Sequence, residues 1–138
     1  MPPPDPTQAF LRSRKSPPDV VAGGLSGLID RWRKTVAQIR QGYRLTFDDY
    51  LNDMDVRQLI EETLPHATVR QHKQATAALF ELDEAAQSHL VRAGKCLWGR
   101  KAESEHGWTP ERNWWYFMRP KSAPPEFLDE FNRPSSRA

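Results

Sequence analysis

The chain has one cysteine, Cys96, among its 138 residues, so it can form no disulfide within itself. Small secreted domains usually carry several cysteines, because disulfides stabilise cores that are too small to be stable alone. No apolar run approaches the roughly 18 residues that a membrane-spanning helix needs. The N-terminal residues also lack the apolar segment of a signal peptide. We therefore expect a cytoplasmic protein without membrane insertion.

Motifs of known catalytic or cofactor chemistry are missing as well. There is no phosphate-binding glycine loop, nucleophile elbow or dinucleotide fingerprint. The four histidines do not pair at helical spacing, and Cys96 has no second cysteine beside it, so we predict no metal site and no cofactor. The acids between Asp48 and Asp55 fit helix caps and a solvated helix face. We predict no catalytic residues, no enzyme activity and no small-molecule ligand, with a small enzyme as the remote alternative.

Proline is scarce in the middle of the chain, although the chain holds 12 prolines in all. Only Pro65 and Pro110 lie between Gly24 and Phe117. Segments rich in proline and poor in apolar residues seldom form a packed core alone. We predict a disordered or partner-bound N-terminal segment at 1–23, a helical domain at 24–119, and a C-terminal tail at 120–138 with a short docking helix.

Hydrophobic residues recur at helical spacing through most of that domain. The clearest stripe comprises Leu25, Leu28, Ile29, Trp32, Val36, Ile39 and Tyr43. Thr46 and Asp49 form a capping signal for a second helix, whose apolar phase then breaks, so we predict either a kinked helix or two short helices at 47–53 and 56–64. A longer helix is predicted at 68–93, which either projects from the core or breaks near Leu82-Asp83 into two. The fold class is mainly α: a small irregular bundle of about four to five helices with extended proline-rich N- and C-terminal segments.

The four adjacent aromatics from Trp114 to Phe117 are the most unusual feature of the chain. Thr109-Pro110-Glu111 is a good helix start, yet aromatic residues favour strands, so a short strand near 113–119 is an equal candidate. Neighbouring side chains cannot all point to one face of a helix or strand. The run must therefore be covered from two directions, by the protein's own core or by a partner.

Charge alternates in sign along the chain although the net charge is only +2. Residues 25–44 and 92–122 are basic, whereas 45–65 is acidic. Such segments can pack against each other or face different partners. The basic and aromatic side chains at 92–121 also resemble the composition of single-stranded nucleic-acid-binding surfaces, which gives an alternative function.

Aromatic and arginine side chains are enriched at the energetic centres of protein interfaces. We therefore predict a non-catalytic protein–protein interaction module, acting as an accessory subunit, adaptor or inhibitor-type partner of a larger bacterial assembly. The predicted partner-binding residues are Trp108, Arg112, Trp114, Trp115, Tyr116, Arg119, Phe127, Leu128 and Phe131.

Overall fold

Six α-helices and a two-stranded sheet form the part of the chain that the computed structural model describes, residues 4–133. In chain order the elements are α1 (Pro6–Ser13), α2 (Pro18–Gln41), α3 (Phe47–Thr63), α4 (Val69–Gln87), β1 (Leu90–Arg92), α5 (Arg100–His106), β2 (Met118–Pro120) and α6 (Pro125–Asn132). Short 3-10 turns occupy Leu64–His66 and Trp114–Tyr116. The predicted mainly helical fold is confirmed, with one or two more helices than expected.

Helix α2 lies at the centre of the fold, with α1, α3 and α4 packed around it. Every member of the apolar stripe predicted from Leu25 to Tyr43 is buried, and Trp32 in its middle is completely inaccessible. The polar face of the same helix points to solvent, with Arg31 and Arg33 in exposed pairs with Asp19 and Asp30. The stripe is therefore core, as its spacing indicates.

The N-terminal segment is folded onto this core. Helix α2 is interrupted at Gly24, whose φ of +59° would strain any residue with a side chain. The next amide, of Leu25, donates to the Thr7 hydroxyl of α1 at 3.1 Å. Leu11 of α1 is fully buried. The predicted disordered or partner-bound segment at 1–23 is thus corrected for the residues from α1 onward, while residues 1–3 lie outside the described part.

Helix α3 is continuous, which corrects the two predicted helices at 47–53 and 56–64. The apolar phase breaks because Arg57 occupies a buried position of the stripe, between Met54 and Ile60. Its guanidinium is accommodated there by Asp83 of α4, with which it makes two hydrogen bonds. A buried ion pair therefore replaces a hydrophobic contact at this point of the α3–α4 packing.

The segment predicted as one helix at 68–93 ends earlier, at Gln87, and continues as β1. Strand β1 pairs antiparallel with β2 in the register Leu90↔Pro120, Val91↔Arg119 and Arg92↔Met118. The strand considered near 113–119 thus begins at Met118, after the 3-10 turn. Helix α5 forms in the polar stretch before it, and no helix starts at Thr109.

The C-terminal tail docks on the chain's own core. Phe127 and Phe131 of α6 are buried against α3 and the loop before it. An isolated helix of this length is unstable in water, so these contacts hold it in place. The predicted docking helix therefore uses its own domain as its surface; residues 134–138 of the tail lie outside the described part.

Candidate functional site

The aromatic run divides between the core and the surface. Trp115 and Tyr116 are each 1% exposed, whereas Trp114 and Phe117 are half-buried. The 3-10 turn sends successive side chains in different directions, so no single face has to hold all four. The Arg57 guanidinium lies over the Trp115 ring at 4.5 Å from its centroid. The run is thus covered on one side by the protein itself.

Asp55 of α3 holds the segments on both sides of α5 in place. The Tyr116 hydroxyl donates to its Oδ1 at 2.7 Å, and the Trp98 indole nitrogen donates to the same atom at 2.9 Å. Trp108 stacks on the Tyr116 ring with centroids 4.1 Å apart, and His106 stacks on Trp108. Burial raises the pKa of the Asp55 carboxyl, and the two hydrogen bonds oppose that rise only in part.

Replacement of Asp55 by asparagine should remove the part of the unfolding free energy that the wild type loses as the pH rises and Asp55 ionises. Because the native pKa of Asp55 is raised, its contribution to stability is full below the unfolded pKa of about 4 and is lost as the pH rises through the native pKa. Asparagine keeps the Oδ1 acceptor and does not titrate. We expect the D55N variant to gain on the wild type in urea denaturation as the pH rises from about 4 through the native pKa of Asp55, from a starting cost of about 1 kcal/mol or less.

Asp19 provides a control of opposite sign. The hydrogen bond from Arg31 lowers the pKa of the Asp19 carboxyl, so its contribution is present above the unfolded pKa and is lost as the pH falls through the native pKa. The D19N variant should therefore fall behind the wild type as the pH rises from below the native pKa of Asp19 to the unfolded pKa of about 4, and the difference should stay constant at higher pH. A D55N difference that does not change with pH would contradict the assignment.

The predicted partner-binding residues separate into two groups in the structure. Four of them belong to the core, which corrects their assignment to a partner surface: Trp115, Tyr116, Phe127 and Phe131. Their burial supplies the apolar interior that this small domain needs. The other five remain wholly or partly accessible: Trp108, Arg112, Trp114, Arg119 and Leu128. Trp114 and the edge of Phe131 border a common cleft, whereas Trp108, Arg112, Arg119 and Leu128 do not line it.

This cleft has a volume of about 1110 Å³. It is formed where β1, the 94–99 loop, α5, the 3-10 turn at Trp114–Tyr116 and α6 meet. Its apolar floor and sides include the half-buried Trp114, Phe117 and Met118. Lys95 closes one part of it by placing its ammonium over the Phe131 ring, 4.5 Å from the centroid. The cleft is open to solvent and exceeds the roughly 300–1,000 Å³ of common small-molecule pockets.

Charges of both signs surround the apolar surface of the cleft. Arg92, Arg100, Glu103 and Glu111 line it and form no ion pair among residues 4–133. Glu130 and Arg133 also line it and pair with each other. Unpaired charges at the rim of an apolar patch are available to a ligand that brings the opposite charges.

Several residues of the cleft belong to no recognisable sequence motif. Met118, Gly94 and Glu103 are examples, because the cleft joins segments that are separated along the chain. The basic and aromatic composition of 92–121 was the only signal that pointed to this region. It identified Arg92, Lys95, Arg100 and Phe117 as members of one segment, without showing that acids face the same space.

Cys96 is buried, and the described residues contain no cluster of metal ligands. Burial raises the pKa of the Cys96 thiol, which is the opposite of what an activated nucleophile needs. Within residues 4–133, no three histidine, cysteine or acidic side chains are grouped as ligands for a metal ion. None of the described helices combines the length and apolar character that crossing a bilayer requires.

Comparisons with protein-family models, curated proteins and solved structures gave no match to this chain.

Proposed function

We propose that this protein is a non-catalytic interaction module that binds a segment of a partner protein in the cleft, as an accessory subunit, adaptor or inhibitor. The observation that carries the proposal is the combination of accessible apolar side chains with unpaired charges of both signs in one open cleft. Protein interfaces have this composition, with an apolar centre and a charged rim. A peptide segment carries both kinds of group, whereas a small ligand would leave much of this space empty.

The aromatic side chains favour a protein partner over a single-stranded nucleic acid. Stacking of bases needs free ring faces, and the rings of Trp115 and Tyr116 are buried. Trp108 already stacks on both Tyr116 and His106. Glu103 and Glu111 line the same cleft as the cations and would repel phosphates. These contacts favour a protein partner, and nucleic-acid binding is the alternative that the capture experiment tests against it.

Affinity capture from the native host tests the proposal, with the tagged full chain used with and without nuclease and at low and high salt. We expect one protein to be retained at a fixed stoichiometry after nuclease treatment and at high salt. Nucleic acid that is retained only at low salt would replace the proposal with the alternative, because phosphate contacts weaken steeply as salt rises. If the tagged chain retains neither a protein nor a nucleic acid, both proposed functions are overturned.

The Phe117→Ser variant then asks whether the cleft is the binding surface. Removal of this half-buried ring should weaken retention of the partner by about tenfold or more, as expected for an interface hot spot. Phe80→Ser is the matched control, because Phe80 is 73% exposed on α4 and lies outside the cleft. Thermal melts confirm that both variants fold. Loss of the partner in F80S with retention in F117S would move the interface to α4.

A further inference from the structure

The register of the small sheet shows which backbone groups β1 leaves free. Ala93 donates its amide to the Phe117 carbonyl, and Lys121 donates to the His89 carbonyl, so these two positions are hydrogen-bonded pairs of the ladder. Hydrogen-bonded and non-hydrogen-bonded pairs alternate along an antiparallel ladder. The pair Arg92↔Met118 is therefore non-hydrogen-bonded. Consequently the N–H and C=O of Arg92 point away from β2.

The two outer edges of the sheet differ. On the β2 edge, Pro120 has no amide hydrogen to offer, and the Met118 carbonyl already accepts from the Tyr50 hydroxyl at 3.1 Å. On the β1 edge, no other group in the described chain bonds the N–H or C=O of Arg92. Proteins usually cover or block such a free edge, because it pairs readily with another chain. Within residues 4–133, the β1 edge is therefore the one open to a further strand.

This open edge borders the cleft. Arg92 is exposed and lines it, and Gly94 lines it two residues further on. No atom lies within 4 Å of the position that a Cβ on Gly94 would occupy. Another backbone can therefore approach the chain closely here, beside the free groups of Arg92.

The charge beside the edge indicates which chain would pair with it. Arg92 and Lys95 are the charged side chains of this stretch, and both line the cleft. A second copy of β1 would bring its own Arg92 close to the first, and facing like charges destabilise strand pairs. A segment with an acidic side chain next to Arg92 and Lys95 would instead complement both cations. Basic side chains elsewhere in that segment would complement Glu103 and Glu111, which line the same cleft. Phe117 and Met118 offer apolar contacts to its other side chains.

We propose that the open edge of β1 binds an extended segment of a partner protein, with acidic and apolar side chains, as a third strand of the sheet. This mode of binding, strand addition, obtains affinity from main-chain hydrogen bonds and specificity from alternate side chains. The proposal rests on the proposed function and specifies how the partner is held.

The Arg92→Pro variant tests strand addition, with Arg92→Ala as its matched control. Both variants remove the guanidinium, but only proline removes the outward N–H, and the β1–β2 hydrogen bonds of the neighbouring residues remain available. The probe is a displayed library of random peptides of about 12 residues, long enough to cross the cleft when extended. We expect selected peptides to contain acidic residues, and R92P to bind them about tenfold more weakly than R92A.

Methylation of single backbone nitrogens in the best peptide provides a measurement that does not depend on the folding of R92P. Strand addition predicts losses at alternate peptide positions, because only every second amide faces the β1 edge. Equal affinities for R92P and R92A with no alternation, or a library that yields no binder, would overturn strand addition. A concentration-dependent dimer that R92P abolishes would also overturn it, in favour of a second copy. The proposed function fails through different results: affinity capture retains no partner protein, or the F117S variant retains the partner as well as the wild type does.

Discussion

Replacement of Asp83 by alanine should lower the free energy of unfolding by about 3 kcal/mol, the lower end of the range for a broken buried pair, because the buried Arg57 charge then keeps only the partly exposed Glu61 as its partner. Arg57 is 4% exposed, and its Nε and Nη2 donate to the two Asp83 oxygens at 3.1 and 2.8 Å. The Trp32 indole nitrogen also donates to Asp83, at 2.9 Å, and loses its acceptor. A loss of this size is a large part of the roughly 5–15 kcal/mol by which domains are stable. Urea denaturation measures it.

Two controls separate the buried charge from the loss of an acidic residue as such. Asp30→Ala breaks the exposed pair with Arg33 and should cost about 0–1 kcal/mol. In an Arg57→Met background the charge is absent, so D83A should cost much less, and the double-mutant cycle gives the coupling between the two residues. If D83A proves no more destabilising than D30A, the buried pair does not hold α3 against α4.

The same ion pair explains why α3 was predicted as two helices. A sequence pattern assigns arginine to the surface, so Arg57 reads as a break in the apolar stripe. The break disappears only when Asp83, on the next helix, is known to lie opposite. Where the buried positions are apolar with a single exception, as from Leu25 to Tyr43 with Thr35, spacing alone predicts the core correctly. Burial of a charge depends on a long-range partner and is not visible in the local pattern.

Long-range pairing likewise explains the other differences at the element ends. Leu90 to Arg92 continue the spacing of α4, yet they form a strand because β2 lies alongside them. The N-terminal segment looks too rich in proline to fold, yet Asp5 and Thr7 make specific hydrogen bonds there. Asp5 accepts from the Thr7 amide at 2.8 Å and from Gln71 of α4 at 3.1 Å. The Asp5–Thr7 cap is local, but the Asp5–Gln71 hydrogen bond and the pairing of β1 with β2 join residues that no short sequence window contains.

From the sequence, only the amino-acid composition of the candidate site could be predicted, and not its geometry. The basic and aromatic character of 92–121 identifies the right region, but side-chain direction decides which members serve the core. Trp115 and Trp114 are neighbours in sequence, and one is buried while the other borders the cleft. The free edge of β1 depends on the register with β2 and could not be inferred from the three residues of the strand.

Replacement of Phe127 by alanine should release α6 from the core and cost about 3–5 kcal/mol. The Phe127 ring is 1% exposed and makes edge contacts with Tyr43, Phe47 and Tyr50, with ring centroids 5.4–5.9 Å apart. A helix of 8 residues does not persist without such contacts. We therefore expect the amides of α6 to exchange hydrogen much faster in F127A than in the wild type, and the urea midpoint to fall.

Leu128→Ala is the matched control for that experiment, because it changes the next residue, which is only half-buried and does not line the cleft. It should leave the exchange of α6 nearly unchanged. Since α6 places Phe131 beside Lys95 in the cleft, F127A should also weaken retention of the captured partner, whereas L128A should not. Slow exchange of α6 in F127A would show that other contacts hold the helix. Undiminished retention with α6 released would show that this wall of the cleft takes no part in binding.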